Sequence, residues 1–146
     1  MRLVPLLDIG IAVKDSATSK MARSMNVLMR SRTSDRYYYE GEVWPGDVYY
    51  VDFLHPNASQ FWKIQLSKLF KQINFSGIWL DMNEPTNFKG GASTDETFNI
   101  QKNDNLNAMT IDCKLSHFNL HGSPFLHEEV HAYYGHLSIL PTYEFL

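Results

Sequence analysis

Cys113 is the only cysteine in the 146 residues, so no disulfide can form within the chain, and cysteine usage leaves the redox compartment open. Long apolar runs are missing as well. No stretch approaches the roughly 20 consecutive apolar residues that span a bilayer. The short run over residues 3–7 is interrupted by Asp8 with no small-residue cleavage site behind it, and is read as a strand, not as a signal peptide. Positive charge is neither abundant nor concentrated: 13 basic residues stand against 16 acidic ones, a formal charge of -3. Phosphate backbones are bound by clustered Lys and Arg, so no nucleic-acid partner is expected.

What is present is an ordinary apolar fraction, 44%, and an aromatic fraction of 14%, with three Trp, eight Tyr and nine Phe. The length is that of one domain. Aromatic rings suit core packing first and sugar faces second. The most informative run is Gly77-Ile78-Trp79-Leu80-Asp81-Met82-Asn83-Glu84-Pro85. Contiguous apolar residues leading into an acid, a polar turn and a proline describe a strand covered on both faces that delivers a carboxylate to the rim of a parallel sheet. Asp8, behind residues 3–7 and just before Gly10, repeats the pattern. α/β proteins place their chemistry beyond the carboxyl ends of such strands. The plainer alternative is that Asp81 and Glu84 serve the turn alone.

Between the two strands, residues 22–29 suggest a short helix, and Tyr37-Tyr38-Tyr39, Trp44-Pro45-Gly46 and Tyr49-Tyr50 form an aromatic stretch with a turn at Pro45-Gly46. Residues 57–73 predict an amphipathic helix with Trp62, Leu66, Leu69, Phe70 and Ile73 on one face, and Asn57 with Gln60 resembles a capping box. Residues 89–108 are expected to form a long loop. Val130, Tyr133, Tyr134 and Leu137 lie at helical spacing within residues 128–140, and Pro141 is expected to stop or kink that helix. Asn57-Ala58-Ser59 and Asn74-Phe75-Ser76 are glycosylation sequons, which matter only in a secretory protein.

His127-Glu128-Glu129-Val130-His131 fits the H-E-x-x-H pattern, in which two histidines one turn apart bind zinc and the glutamate activates water. A metallopeptidase is therefore one alternative. The longer metzincin form is not continued here, because Tyr134 and Leu137 stand where Gly and the third His belong.

The run from Trp79 to Phe88, Trp79-Leu80-Asp81-Met82-Asn83-Glu84-Pro85-Thr86-Asn87-Phe88, closely resembles the nucleophile signature of glycoside hydrolase family 31, the α-glucosidases. The resemblance is collinear over most of the chain. Val4-Pro5-Leu6-Leu7-Asp8-Ile9-Gly10-Ile11 looks like that family's preceding strand, Gly41-Glu42-Val43-Trp44-Pro45-Gly46 with Asp52-Phe53 like its aromatic loop, and Glu129-Val130-His131-Ala132-Tyr133-Tyr134-Gly135 like its helix after the nucleophile strand. This last match gives the histidines a non-metal explanation.

The resemblance implies an α/β fold, part of a (β/α)8 TIM barrel with about two strands, crossover helices and a long loop. Residues 1–146 would be a partial catalytic barrel domain with no second domain. It implies a retaining α-glucosidase in which Asp81 is the nucleophile, Glu84 supports it, and Asp8, Trp44, Trp79 and Met82 line the sugar pocket. The expected partner is an α-glucoside oligosaccharide or polysaccharide, with no metal and no organic cofactor. Family and sequons together point to the secretory pathway: lysosome, ER lumen or outside the cell.

One departure from the family matters. Retaining hydrolysis needs a second carboxyl group about 5–5.5 Å from the first, and the Trp-x-Gly-Asp run that carries it in this family is absent from these residues. The isolated chain is therefore expected to be inactive. A carbohydrate-binding or pseudoenzyme remnant is the non-enzymatic alternative.

Overall fold

The computed structural model describes residues 2–14, 16–31, 34–88, 113–118 and 124–146. The long loop expected at 89–108 lies outside them. Two strands, β1 (Leu6–Asp8) and β7 (Trp79–Asp81), pair in parallel with Leu6 opposite Trp79, Leu7 opposite Leu80 and Asp8 opposite Asp81. The ladder extends backwards, since Trp79 N–H donates to Pro5 O at 2.9 Å and Ser76 N–H to Leu3 O at 2.8 Å. Parallel strands need a long crossover. Here it contains a second, antiparallel layer and two helices.

That layer comprises β2 (Gly10–Ala12), β5 (Glu40–Val43) and β6 (Gly46–Tyr50), in the order β2-β6-β5. β3 (Arg30–Ser31), β4 (Ser34–Tyr38), β8 (Cys113–Phe118) and β9 (Pro124–Leu126) form a separate sheet in the order β4-β3-β8-β9. The aromatic stretch is therefore mostly sheet, of which the sequence marks only the turn at Pro45-Gly46. Tyr and Val on a pleated surface bury alternate side chains well, and Val48, Tyr50 and Val51 are fully enclosed. Val43 pairs with Gly46, so Trp44 and Pro45 are the two-residue turn, and Gly46 takes the positive φ, 91°, that it needs.

Helix α1 spans Ser16–Ser24, upstream of the helix expected at 22–29. It ends in a Schellman motif: Asn26 has φ 59°, Val27 N–H reaches Ala22 O at 3.1 Å and Asn26 N–H reaches Arg23 O at 3.1 Å. Val27, Leu28 and Met29 then run extended into the core. Their apolarity, which suggested helix, serves burial instead.

Helix α2 spans Ala58–Gln72, close to expectation. The capping box is not formed. Asn57 already has helical angles (φ -88°, ψ -4°) and its side chain makes no cap bond; its N–H donates to His55 Nδ1 at 3.1 Å instead. Asn57 and Asn74 are both exposed. Trp62 and Leu66 are buried as expected, while Phe70 and Ile73 stay largely exposed.

Helix α3, His127–Tyr143, runs through Pro141. Proline removes one ladder bond, but beyond the gap Thr142 Oγ1 donates to Ser138 O at 2.8 Å and Glu144 N–H to Leu140 O at 2.9 Å. Of its expected apolar face, Tyr134 is buried and donates to Val51 O at 2.6 Å, while Tyr133 faces solvent. Phe53 sits edge-on to both Trp62 and Tyr134, which joins α2, α3 and the end of β6. No helix among the described residues is long and apolar enough to cross a membrane.

Among the described residues the parallel pair is covered on one face, where its apolar run suggested cover on both. Leu7, Ile78 and Leu80 pack on the core, whereas Leu6 and Trp79, alternate in the strands and opposite each other, are 49% and 59% exposed. The described residues supply helices for only the first of those faces.

Candidate active site

Strand register decides what meets at the carboxyl ends of β1 and β7. Asp8 and Asp81 are register partners, two residues beyond Leu6 and Trp79, so two acids stand side by side at the rim. Asp81 Oδ1 accepts from Met82 N–H at 2.9 Å. Asp8 Oδ1 is buried and has no hydrogen-bond partner among the described residues. Burial first, and the charge of Asp81 second, push the Asp8 carboxyl above its ordinary value. An orphaned buried acceptor of this kind calls for a donor from outside, such as a ligand hydroxyl.

The chain turns sharply after Asp81. Met82 adopts φ 54°, a left-handed conformation that non-glycine residues rarely hold without surrounding restraint. Its Sδ accepts from Trp44 Nε1 at 2.8 Å, so the β5–β6 turn is tied to the residue after Asp81. Trp44 is 74% exposed and stands edge-on to Phe88, with centroids 5.0 Å apart. Trp44, Met82 and Asp81 are thus brought together. Trp79 lies on the same strand face as Asp81, two residues back.

Glu84 accepts from Thr86 Oγ1 at 2.7 Å, a bond within the turn. Burial pushes the pKa of His131 below its ordinary value, and the charge of Glu84 opposes that shift. His127 Nε2 and His131 Nδ1 are 3.0 Å apart. Burial, aided by His131, lowers the pKa of His127 to about 3. The two rings hydrogen-bond each other and pack edge-on, and no group of three metal-ligating side chains exists among the described residues. Nothing in this geometry supports zinc.

The segment after the turn is fastened to the antiparallel layer by residues that strand reasoning alone did not single out. Asn87 is buried, accepts from Glu42 N–H at 3.0 Å and donates to Tyr39 Oη at 3.0 Å. Tyr50 Oη donates to Thr86 O at 2.9 Å, and Phe88 N–H donates to Glu42 O at 2.8 Å. Gly41 makes this possible: a Cβ there would collide with the Tyr50 ring at 2.7 Å and with Asn87 Oδ1 at 2.9 Å. The available signal was a polar Asn87 between a turn and an aromatic residue. Its partners lie 45 and 48 positions away, and spacing does not reveal them.

The match to the glycosyl hydrolases family 31 TIM-barrel domain extends over residues 1–146. Among curated proteins, an α-glucosidase of Hordeum vulgare is 40% identical over 92 residues, covering 60% of this chain and 10% of its own length. The lysosomal acid α-glucosidase of Tetrahymena pyriformis is 38% identical over 95 residues, covering 64% of this chain and 10% of its own. The chain thus spans about a tenth of the length of these relatives. Among solved structures, an ER glucosidase II heterodimeric complex superposes with TM-score 0.68 at 25% identity, over 99% of this chain and 14% of the other. A dextranase of Flavobacterium johnsoniae, complexed with glucose, gives TM-score 0.69 at 21% identity, over 98% and 15%. These folds identify the arrangement as part of a TIM barrel; the described residues form no closed barrel.

Proposed function

This chain belongs to glycosyl hydrolase family 31, and from that membership we propose that it contributes the nucleophile to a retaining α-glucosidase that releases terminal α-linked glucose from oligo- or polysaccharides. The observation that carries the proposal is the register pairing of Asp8 with Asp81 at the carboxyl ends of two parallel strands. In a β/α barrel that rim is where substrate binds.

Asp81 attacks the anomeric carbon as the bond to the leaving oxygen breaks, giving a covalent glycosyl-enzyme through an oxocarbenium-like transition state. The Met82 N–H on Oδ1 orients the carboxylate and leaves Oδ2 to make the bond. Asp8 accepts a hydrogen bond from a sugar hydroxyl, which satisfies its buried Oδ1. Trp44 and Trp79 offer exposed ring faces to the glucose, and Met82 fills the gap between Trp44 and the acid. Glu84 keeps the turn in shape through Thr86 and does not react.

A general acid must protonate the leaving oxygen from the other side of the anomeric carbon. Asp8 stands beside Asp81, not across from it. Because the Trp-x-Gly-Asp run that carries this acid in the family is absent from the sequence, we assign the acid to another part of the protein and expect no turnover from the isolated chain. Residues 1–146 act as one part of a catalytic barrel domain, in a protein whose exposed sequons fit passage through the secretory pathway. The reading is tested in the full-length protein that contains this chain. Asp81→Asn abolishes turnover and covalent labelling by a mechanism-based fluoroglucosyl fluoride; labelling at the unmodified rate would overturn it.

A further inference from the structure

Ser138 and Thr142 lie one turn apart on α3, and both are buried, at 0% and 4% exposure. Each hydroxyl spends its proton on its own helix: Ser138 Oγ donates to Gly135 O at 2.7 Å and Thr142 Oγ1 to Ser138 O at 2.8 Å. A hydroxyl has one proton and two lone pairs. With the proton committed, each can only accept from outside the helix, and its lone pair points in a fixed direction. Both positions meet such a donor. Asn83 Nδ2 donates to Ser138 Oγ at 3.3 Å, and Trp62 Nε1 of α2 donates to Thr142 Oγ1 at 2.8 Å.

Gly135 completes the arrangement on the Asn83 side. Its carbonyl receives Asn83 Nδ2 at 3.5 Å, and a Cβ added to it would stand 3.0 Å from the Asn83 carbonyl oxygen and 3.4 Å from Nδ2. Asn83 is two residues beyond Asp81, across the left-handed Met82. The turn is thus held at its root by strand pairing and at its far end by a helix whose rotation is fixed against α2.

We propose that Ser138 is a positioning residue for Asp81: with Gly135 it forms a seat on α3 for Asn83, and the seated asparagine sets the direction in which the turn presents the carboxylate. Thr142 and Trp62 hold the seat in register with the rest of the barrel wall. This inference rests on Asp81 being the nucleophile.

The test uses the full-length protein that contains this chain and three readouts: the rate of covalent labelling by a fluoroglucosyl fluoride, the dissociation constant for glucose, and the unfolding midpoint. Gly135→Ala is the decisive variant. Alanine favours helix over glycine, but its Cβ would press on the Asn83 carbonyl oxygen at 3.0 Å, so the midpoint reports the balance of the two effects. Positioning predicts labelling slowed about tenfold or more, as small displacements of a reacting group do, by more than glucose affinity falls and whatever the sign of the midpoint change. Ser138→Ala slows labelling likewise, and Ser138→Thr, which keeps the hydroxyl, restores most of it. Labelling at the unmodified rate in folded Gly135→Ala overturns the inference, as does a loss of glucose affinity equal to the loss of rate. If Ser138→Ala does not fold, Gly135→Ala alone decides. Asp81→Asn runs in parallel: labelling there removes the nucleophile assignment itself, a result distinct from normal labelling in Gly135→Ala.

Discussion

Asp8 and Asp81 are partners in parallel register, and the half-buried Asp8 carries a carboxyl oxygen with no hydrogen bond among the described residues. Burial disfavours the charged Asp8 carboxylate, and repulsion from Asp81 on the adjacent strand end adds to the cost, so the folded state holds the Asp8 proton more tightly than the unfolded chain does. The stability tied to that proton is fully present below the unfolded value near 3.8 and is lost as pH rises through the raised folded value. Asp8→Asn is therefore expected to stabilise the protein at pH 7, with the advantage disappearing toward pH 3, while glucose binding is lost. Denaturant unfolding at several pH values, with and without glucose, checks both halves.

His127 gives the opposite acid limb. Its folded pKa of about 3 lies below the ordinary 6.5, so the unfolded chain binds the proton first as pH falls. Stability is retained above 6.5 and lost on acidification toward 3, by up to about 1.4 kcal/mol per pH unit. The position at the start of α3 acts in the same direction, since the positive end of a helix disfavours an imidazolium. His127→Phe, which keeps a ring against Tyr134, flattens the slope between pH 4 and 6.5 in urea titrations.

Asn87→Ala removes the hydrogen bonds that Asn87 makes with Glu42 N–H and Tyr39 Oη. A loss of about 2–3 kcal/mol is expected, more than a surface substitution costs. The unfolding midpoint in denaturant measures it.

Trp44→Phe removes the indole N–H from Met82 Sδ but keeps an aromatic ring beside Phe88. Trp44 is too exposed for core packing to be at stake, so stability changes by less than about 0.5 kcal/mol. KM for a small α-glucoside rises instead. An unchanged KM would detach the β5–β6 turn from the sugar pocket.

The parts of this fold that were legible in the sequence are those in which a local pattern coincides with the tertiary environment. Residues 57–73 have a helical apolar stripe and a helix forms there, because Trp62 and Leu66 find a core to enter. The two strands ending in Asp8 and Asp81 were legible as apolar runs that end in an acid, whereas their register, which brings the two acids together, was not. Where one residue type serves two environments, the pattern failed. Val27, Leu28 and Met29 are as apolar as a helix face requires, but the left-handed Asn26 ends α1 before them. Asn57 is a common capping residue, yet the preceding turn had already placed it at helical angles. The bonds that hold the turn after Asp81 join it to residues some 36 to 55 positions away, and no periodicity connects such positions. Of these anchors Asn87 and Thr86 were visible only as members of a motif, and Ser138 was not visible at all.

The Tyr50 bond to Thr86 O, with Gly41 making room for the ring, has a consequence for how inherited variation in this chain should be interpreted. A change at either position alters the sheet beneath the Trp44 turn, and it also reaches the segment five to six residues beyond Asp81. Compensating changes would be found in pairs across the sheet, at Gly41 with Tyr50 or at Asn87 with Tyr39, and a clinical or breeding survey that inspects the acidic motif alone would pass over them.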